Sequence, residues 1–129
     1  MSNTDYLENA ILNHVFRGVV YTPPATLYLA LFSNATTEGG GGTEIPTLNT
    51  AYARQVITFA APSGGSTTNS NTVTFPIATP NGYNPTHGAI FDAVSGGNML
   101  RQAGLTNPQA VAAGNNLSFP PGSILLTQD

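Results

Sequence analysis

Thr26-Leu27-Tyr28-Leu29-Ala30-Leu31-Phe32 is the stretch whose reading decides the fold. Apolar side chains occupy almost every position, so no alternation separates a core face from a wet one. A central strand buried on two sides reads this way. The run is far too short to cross a membrane. Thr22-Pro23-Pro24 stops whatever precedes it, and the polar stretch 33–49 follows. A strand of this kind needs paired neighbours and cover on both faces.

Working outward, the neighbours are short. From Tyr52 the pattern alternates, with Ala53, Ile57 and Phe59 on one face and Tyr52, Arg54, Val56 and Thr58 on the other. Ala61-Pro62-Ser63-Gly64-Gly65-Ser66 reads as a turn, and Val73 and Phe75 mark a strand closed by Pro76. Asn81-Gly82-Tyr83-Asn84-Pro85 is a loop. Ala89-Ile90-Phe91 and Asn98-Met99-Leu100-Arg101-Gln102-Ala103 flank Ser95-Gly96-Gly97, a hairpin signal. Val111, Leu117 with Phe119, and Ile124-Leu125-Leu126 close the chain. Seven or eight short strands at roughly ten-residue spacing predict a mainly β protein: one antiparallel sandwich or barrel-like domain.

The N-terminal segment reads differently. Asp5 is the expected N-cap with Glu8 three residues on, Leu7, Ile11 and Val15 recur at helical spacing, and Gly18 suits the C-terminal cap. A helix of about a dozen residues is marginal alone. Its apolar stripe must dock on its own sheet, a sister subunit or another protein. The expected organisation is one domain over 1–129, with a helical arm at 1–18 and a flexible Gly-rich loop at 33–49. Gly39-Gly40-Gly41-Gly42 holds neither helix nor strand cheaply.

Composition prunes function. The 129 residues include no lysine, cysteine or tryptophan, only Arg17, Arg54 and Arg101, and only two histidines, His14 and His87. Charged residues make up 7% of the chain against the usual quarter, while 40% is hydrophobic, so a globular core is expected and disorder is not. A surface of so little charge invites association. A nucleic-acid footprint and a polybasic lipid patch both need basic residues the chain lacks. The glycine run is no phosphate loop without a lysine. Cysteine-based metal and disulfide chemistry is absent, and Met1-Ser2-Asn3-Thr4-Asp5 has no basic leader pattern.

Chemistry-bearing constellations are thin. His87 and Asp92 lie near one another, but no Gly-x-Ser-x-Gly elbow supplies a nucleophile. The plainer reading has His87 bonding backbone and Asp92 capping the hairpin. Asp5, Glu8, Glu38, Glu44, Asp92 and Asp129 are dispersed, so no metal site is expected. No catalytic residue and no cofactor are assigned. The candidate partner or oligomer contacts are Tyr6, Leu7, Ile11, His14 and Val15 on the helix, with Arg54 and Arg101 on strands. Arginine suits buried ion pairs, so either could face a partner, or simply solvent. Tyr6, Tyr21, Tyr52 and Tyr83 are the residues able to stack sugars.

Asp5-Tyr6-Leu7-Glu8-Asn9-Ala10-Ile11-Leu12-Asn13-His14-Val15-Phe16-Arg17, followed by the Thr26–Phe32 stretch, resembles a group of small tailed-bacteriophage virion proteins. So do Tyr52-Ala53-Arg54-Gln55, Thr72-Val73-Thr74-Phe75-Pro76, Thr86-His87-Gly88-Ala89-Ile90-Phe91-Asp92-Ala93 and the segment from Val111-Ala112-Ala113-Gly114 to Leu117-Ser118-Phe119. The chain departs from the group around residues 81–85, where an aromatic-centred turn is usual. The resemblance implies a non-enzymatic virion protein. The expected role is capsid decoration: a cement protein that binds the major capsid protein outside the shell, assembled in the host cytoplasm as a homotrimer or other symmetric oligomer. A tail-fibre or baseplate component bound to tail proteins is the alternative, and a receptor- or glycan-binding module a further one. Neither nucleic acid nor membrane is an expected partner.

Overall fold

The computed structural model describes residues 1–128. In chain order the elements are β1 (Ser2–Asn3), α1 (Asp5–Arg17), β2 (Leu27–Phe32), β3 (Gln55–Ile57), β4 (Ser66–Thr68), β5 (Val73–Thr74), β6 (His87–Phe91), β7 (Met99–Gly104), β8 (Ser118–Phe119) and β9 (Leu125–Thr127). The fold is mainly β, as the sequence predicts. An antiparallel five-stranded sheet runs β1-β7-β6-β2-β3, and two ladders, β4-β9 and β5-β8, stand beside it.

β2 occupies an interior position, paired with β6 through five residues and with β3 through three. Leu29, Ala30, Leu31 and Phe32 are all buried. Leu29 and Leu31 enter a main cluster with Ile57, Val73, Phe75, Ile90, Tyr52 and Ile124, where β5, β8, β9 and the connecting loops cover the sheet. Ala30 and Phe32 point the other way, into a smaller cluster with Ala89, Phe91 and Met99. The lack of alternation in the sequence is therefore literal. Each fully buried Leu of this kind contributes about 1.5–3 kcal/mol.

The β6–β7 hairpin forms as expected. Asp92 Oδ1 accepts from the Asn98 amide at 2.7 Å, and its Oδ2 accepts from the Asn98 side chain at 3.0 Å. Gly97 has φ +72°, and a Cβ there would stand 2.5 Å from Asp92 Oδ1, so only glycine lets the aspartate close the turn. A register shift between Ile90 and Phe91 pairs Phe91 with Met99 and skips Leu100.

Two expectations need correction. The helix N-cap is Thr4, not Asp5: Thr4 Oγ1 accepts from the Leu7 amide and donates to Met99 O at 2.6 Å. A buried hydroxyl thus ties the helix start to β7 as well as capping it. Gly18 caps the C-terminus in the left-handed region, as predicted. The alternation proposed from Tyr52 begins only at Gln55. Asn49 and Ala51 adopt positive φ, which turns the extended run, so Tyr52 enters the core and Ala53 is exposed. The turn expected at residues 61–66 forms, with Ser63 and Ser66 exchanging backbone hydrogen bonds around Gly64-Gly65, and it leads into a further strand, β4, which pairs with β9.

The Gly-rich stretch has a defined path. Ser33 N donates to Thr43 O, Ile45 N to Leu31 O, and Gly41 N to Thr37 Oγ1. Thr36 is buried and donates to Gln102 Oε1 at 2.6 Å. Ile45 reaches the main core. The glycines form the tip of a hairpin-like excursion from β2, held at its base on both sides.

Candidate functional site

Three places receive the residues singled out in the sequence. The first is α1. Thr4 and β1 pin its beginning against β7, and Leu7, Ala10 and Ile11 are half-buried there. Toward the C-terminus the helix stands off the sheet. His14 and Val15 are exposed, and so are Leu12, Phe16, Val19 and Val20, none of which the 7–11–15 stripe includes. All thirteen helix residues keep some exposure. The His14 ring Nδ1 accepts from the Tyr21 amide at 3.2 Å, which folds the segment after Gly18 back along the helix. Arg17 donates to Asn13 Oδ1 at 2.8 Å and so lies along the helix surface. The stripe that the sequence offered to a partner is uneven: Leu7 and Ile11 are half-buried, while Val15 is exposed. Phe16, the most exposed aromatic, has its only sequence signal in sitting off the heptad-like stripe beside Gly18-Val19-Val20.

The second place is around Arg54, just before β3. Its Nε and Nη2 donate to Glu44 Oε2 and Oε1, both at 2.8 Å, a two-pronged ion pair. Its Nη1 donates to Ala93 O and Gly96 O, and its guanidinium carbon lies 3.7 Å from the Phe91 ring centroid. The Arg54 side chain is only 7% exposed. Arg54 is thus engaged within its own domain, bracing the β6–β7 turn against the base of the Gly-rich excursion. It is not an outward-facing, solvated side chain. Tyr52 completes the node: its hydroxyl donates to Glu44 Oε2 at 2.7 Å and accepts from Leu31 N at 3.0 Å. Burial alone would raise the Glu44 pKa, but the hydrogen bonds from Arg54 and Tyr52 outweigh it and hold the carboxyl below its ordinary value. Burial, reinforced by the Glu44 carboxylate, pushes the Tyr52 phenol far up. Glu44 was legible only as one of two acids bracketing the glycines, because its partner lies ten residues away across a turn.

The third place is a clasp on β7. Arg101 Nη1 donates to Met1 O at 2.7 Å and to Thr127 O at 2.9 Å, and Nη2 donates to Gln128 Oε1. Arg101, like Arg54, is turned inward, and it gathers the two ends of the described chain.

Among the described residues no catalytic constellation assembles. His87 opens β6, with its Nδ1 2.9 Å from Thr86 Oγ1, while Asp92 lies just past the other end of the strand and is engaged with Asn98. Among the described residues no group of three His, Cys, Asp or Glu side chains could hold a metal. Of the four tyrosines able to stack sugars, Tyr52 and Tyr83 are buried, leaving Tyr6 and Tyr21. A cavity of about 340 Å³ opens beside β7 and β9, lined by Met1, Leu29, Leu105, Phe119, Ile124 and Leu125 among others. It carries no ionisable side chain. Among the described residues no helix is long and apolar enough to cross a membrane.

Residues 2–127 match the family described as podophage GP4 fiber I protein gp80, and the chain belongs to that family. No curated protein matches it. The match spans the sheet, the helix and the arginine node together. The protein is a bacteriophage virion structural protein, which agrees with the family resemblance of its sequence.

Proposed function

We propose that this protein is a tail-fibre or baseplate component, rather than a cement protein on the capsid exterior. The observation that carries the reading is the end-to-end match to a fiber family, residues 2–127. The features that favoured shell decoration were small size, low charge and exposed apolar surface. They suit a short module in an appendage equally well. Its partners in this reading are tail proteins and further copies of the same chain. Its work is done by stable packing, with the β2–β6–β7 sheet as the rigid body and α1 as the element left to meet another surface.

Quantitative mass spectrometry of purified virions, scaled to the major capsid protein, tests it. A few to a few dozen copies per particle, retained with tails and missing from tail-less heads, is the expected result. Hundreds of copies, or full retention on tail-less heads, would overturn it and restore the cement role. Deleting residues 1–18 is a poor companion experiment. It removes β1, the Thr4 anchor and the Met1 carbonyl held by Arg101, so it damages the sheet itself.

A further inference from the structure

We infer that Asn81 is a site of spontaneous covalent modification, where the backbone rearranges to isoaspartate as the protein ages. Of the chain's asparagines, only Asn81 precedes glycine. It is exposed, and its side-chain amide bonds nothing among the described residues. The Gly82 N–H likewise meets no acceptor among them. The flanking groups are engaged: Asn81 N donates to Asn49 O at 3.0 Å, Tyr83 N to Val111 O at 2.9 Å, and Val111 N to Tyr83 O at 2.8 Å. The dipeptide is held on both sides while the two groups that react stay free. Solvent base takes the Gly82 amide proton, and the nitrogen attacks Asn81 Cγ. A Cγ–N bond forms, the bond from Cγ to the side-chain nitrogen breaks, and ammonia leaves. Water then opens the succinimide at one of its two carbonyls. Opening at the Asn81 main-chain carbonyl leaves the chain running through Cβ and Cγ, which is isoaspartate. Opening at Cγ gives ordinary aspartate. Either product adds one negative charge to a formal net charge of −3.

The fold explains why so labile a pair stands here. A Cβ at residue 82 would run into Val111 O and lie 3.0 Å from both Ala112 Cα and Ala113 N. The close approach of residues 111–113 therefore demands glycine, and the missing side chain leaves the neighbouring nitrogen unshielded. Two contrasts isolate the cause. Asn84 and Asn107 are exposed but precede proline, which has no N–H to give up. Asn69 precedes serine but is buried, with its side chain bonded to Asn71 O, Pro120 O and Ile124 N. Isoaspartate inserts one methylene between the Asn49 anchor and the Tyr83–Val111 pair. Tyr83 is buried edge-on to Tyr52, with ring centroids 6.1 Å apart, so slack at Asn81 reaches the main cluster.

Incubation of the full-length chain in mildly alkaline buffer tests it, folded and unfolded in urea side by side. Cleavage after Arg54 and Arg101 releases residues 55–101 as one peptide carrying Asn69, Asn81 and Asn84 together. Fragmentation mass spectrometry then reads each residue and separates isoaspartate from aspartate. Folded Asn81 is expected to convert mainly to isoaspartate, at a rate within about tenfold of the unfolded chain, a barrier difference below about 1.4 kcal/mol. Asn69 and Asn84 should stay unchanged in the folded protein, and Asn81→Gln should keep its charge. Folded Asn81 slower than that limit, or Asn69 or Asn84 converting first, would overturn the inference. Hydrogen exchange tests the consequence. The aged, more acidic form should exchange the Tyr83 and Val111 amides faster than fresh protein. Asn81→Asp, which carries the charge on an ordinary backbone, should exchange them as fresh wild type does. Equal exchange in the aged form and Asn81→Asp would refute the role given to the added methylene.

Discussion

β2 and α1 are both apolar segments, and the molecule treats them in opposite ways. In β2 the last four residues are buried, with side chains filling a cluster on either face of the sheet. In α1 every residue keeps some exposure, and the apolar side chains of the last turns point to solvent. The strand satisfies its hydrophobicity with residues from β3, β5 and β6, which are distant in sequence. The helix finds a sheet only for its first turns. A single chain of this length can cover both faces of one central strand pair, but it leaves the far end of the helix uncovered. Apolar content alone therefore does not distinguish core from exposed surface here; the reach of neighbouring elements does.

Substitutions can break this contrast, and the largest effect is expected in the strand. Leu31→Ala removes a fully buried side chain from the main cluster and should cost about 2–5 kcal/mol in urea unfolding. A cost below about 1 kcal/mol would mean that β2 is not the centre of the core.

The Arg54 node should give an intermediate effect, because it braces the strand's surroundings without filling its core. Glu44→Gln leaves the guanidinium with a neutral acceptor and should cost about 1–3 kcal/mol at neutral pH. The folded Glu44 pKa lies below the ordinary 4.5, so its contribution is present above that value. The contribution is lost as pH falls from there through the folded pKa. Thermal melts from pH 7 downward should show wild type and Glu44→Gln converging only in acid. Parallel curves throughout would mean that the carboxylate contributes nothing.

The smallest effect on the isolated domain belongs to the helix. Phe16→Ser should change the unfolding free energy of the monomer by no more than about 0.5 kcal/mol, since the side chain has few neighbours to lose.

Much of the sheet was legible because its signals are local. The unalternating Leu27–Phe32 run announced burial on two sides, and Ser95-Gly96-Gly97 announced the β6–β7 turn. Gly18 announced the end of the helix. What escaped was set by partners remote in sequence. Thr4 outranks Asp5 as the cap because β7 supplies carbonyls to its hydroxyl, 95 positions away. Tyr52 leaves its expected face because a positive φ at Ala51 redirects the chain, and alanine gives no warning of that. β1 and β4 are too short and too polar to show periodicity. The two arginines stood out by rarity; the direction they face depends on Glu44 and on the chain ends. Along the helix, spacing separated apolar from polar positions but could not say how far the sheet extends beneath them.

The Arg101 clasp makes the polypeptide nearly a ring. One guanidinium nitrogen bonds the carbonyls of Met1 and Thr127, so the two ends of the described chain lie side by side. A short linker could join them, and the chain could be reopened at Gly39–Gly42, a tip held at its base on both sides, without crossing any strand pairing. Cargo carried on either end would emerge from the same spot on the surface. Under tension applied through both ends, this hydrogen-bonded seam would bear the load before the buried core felt it.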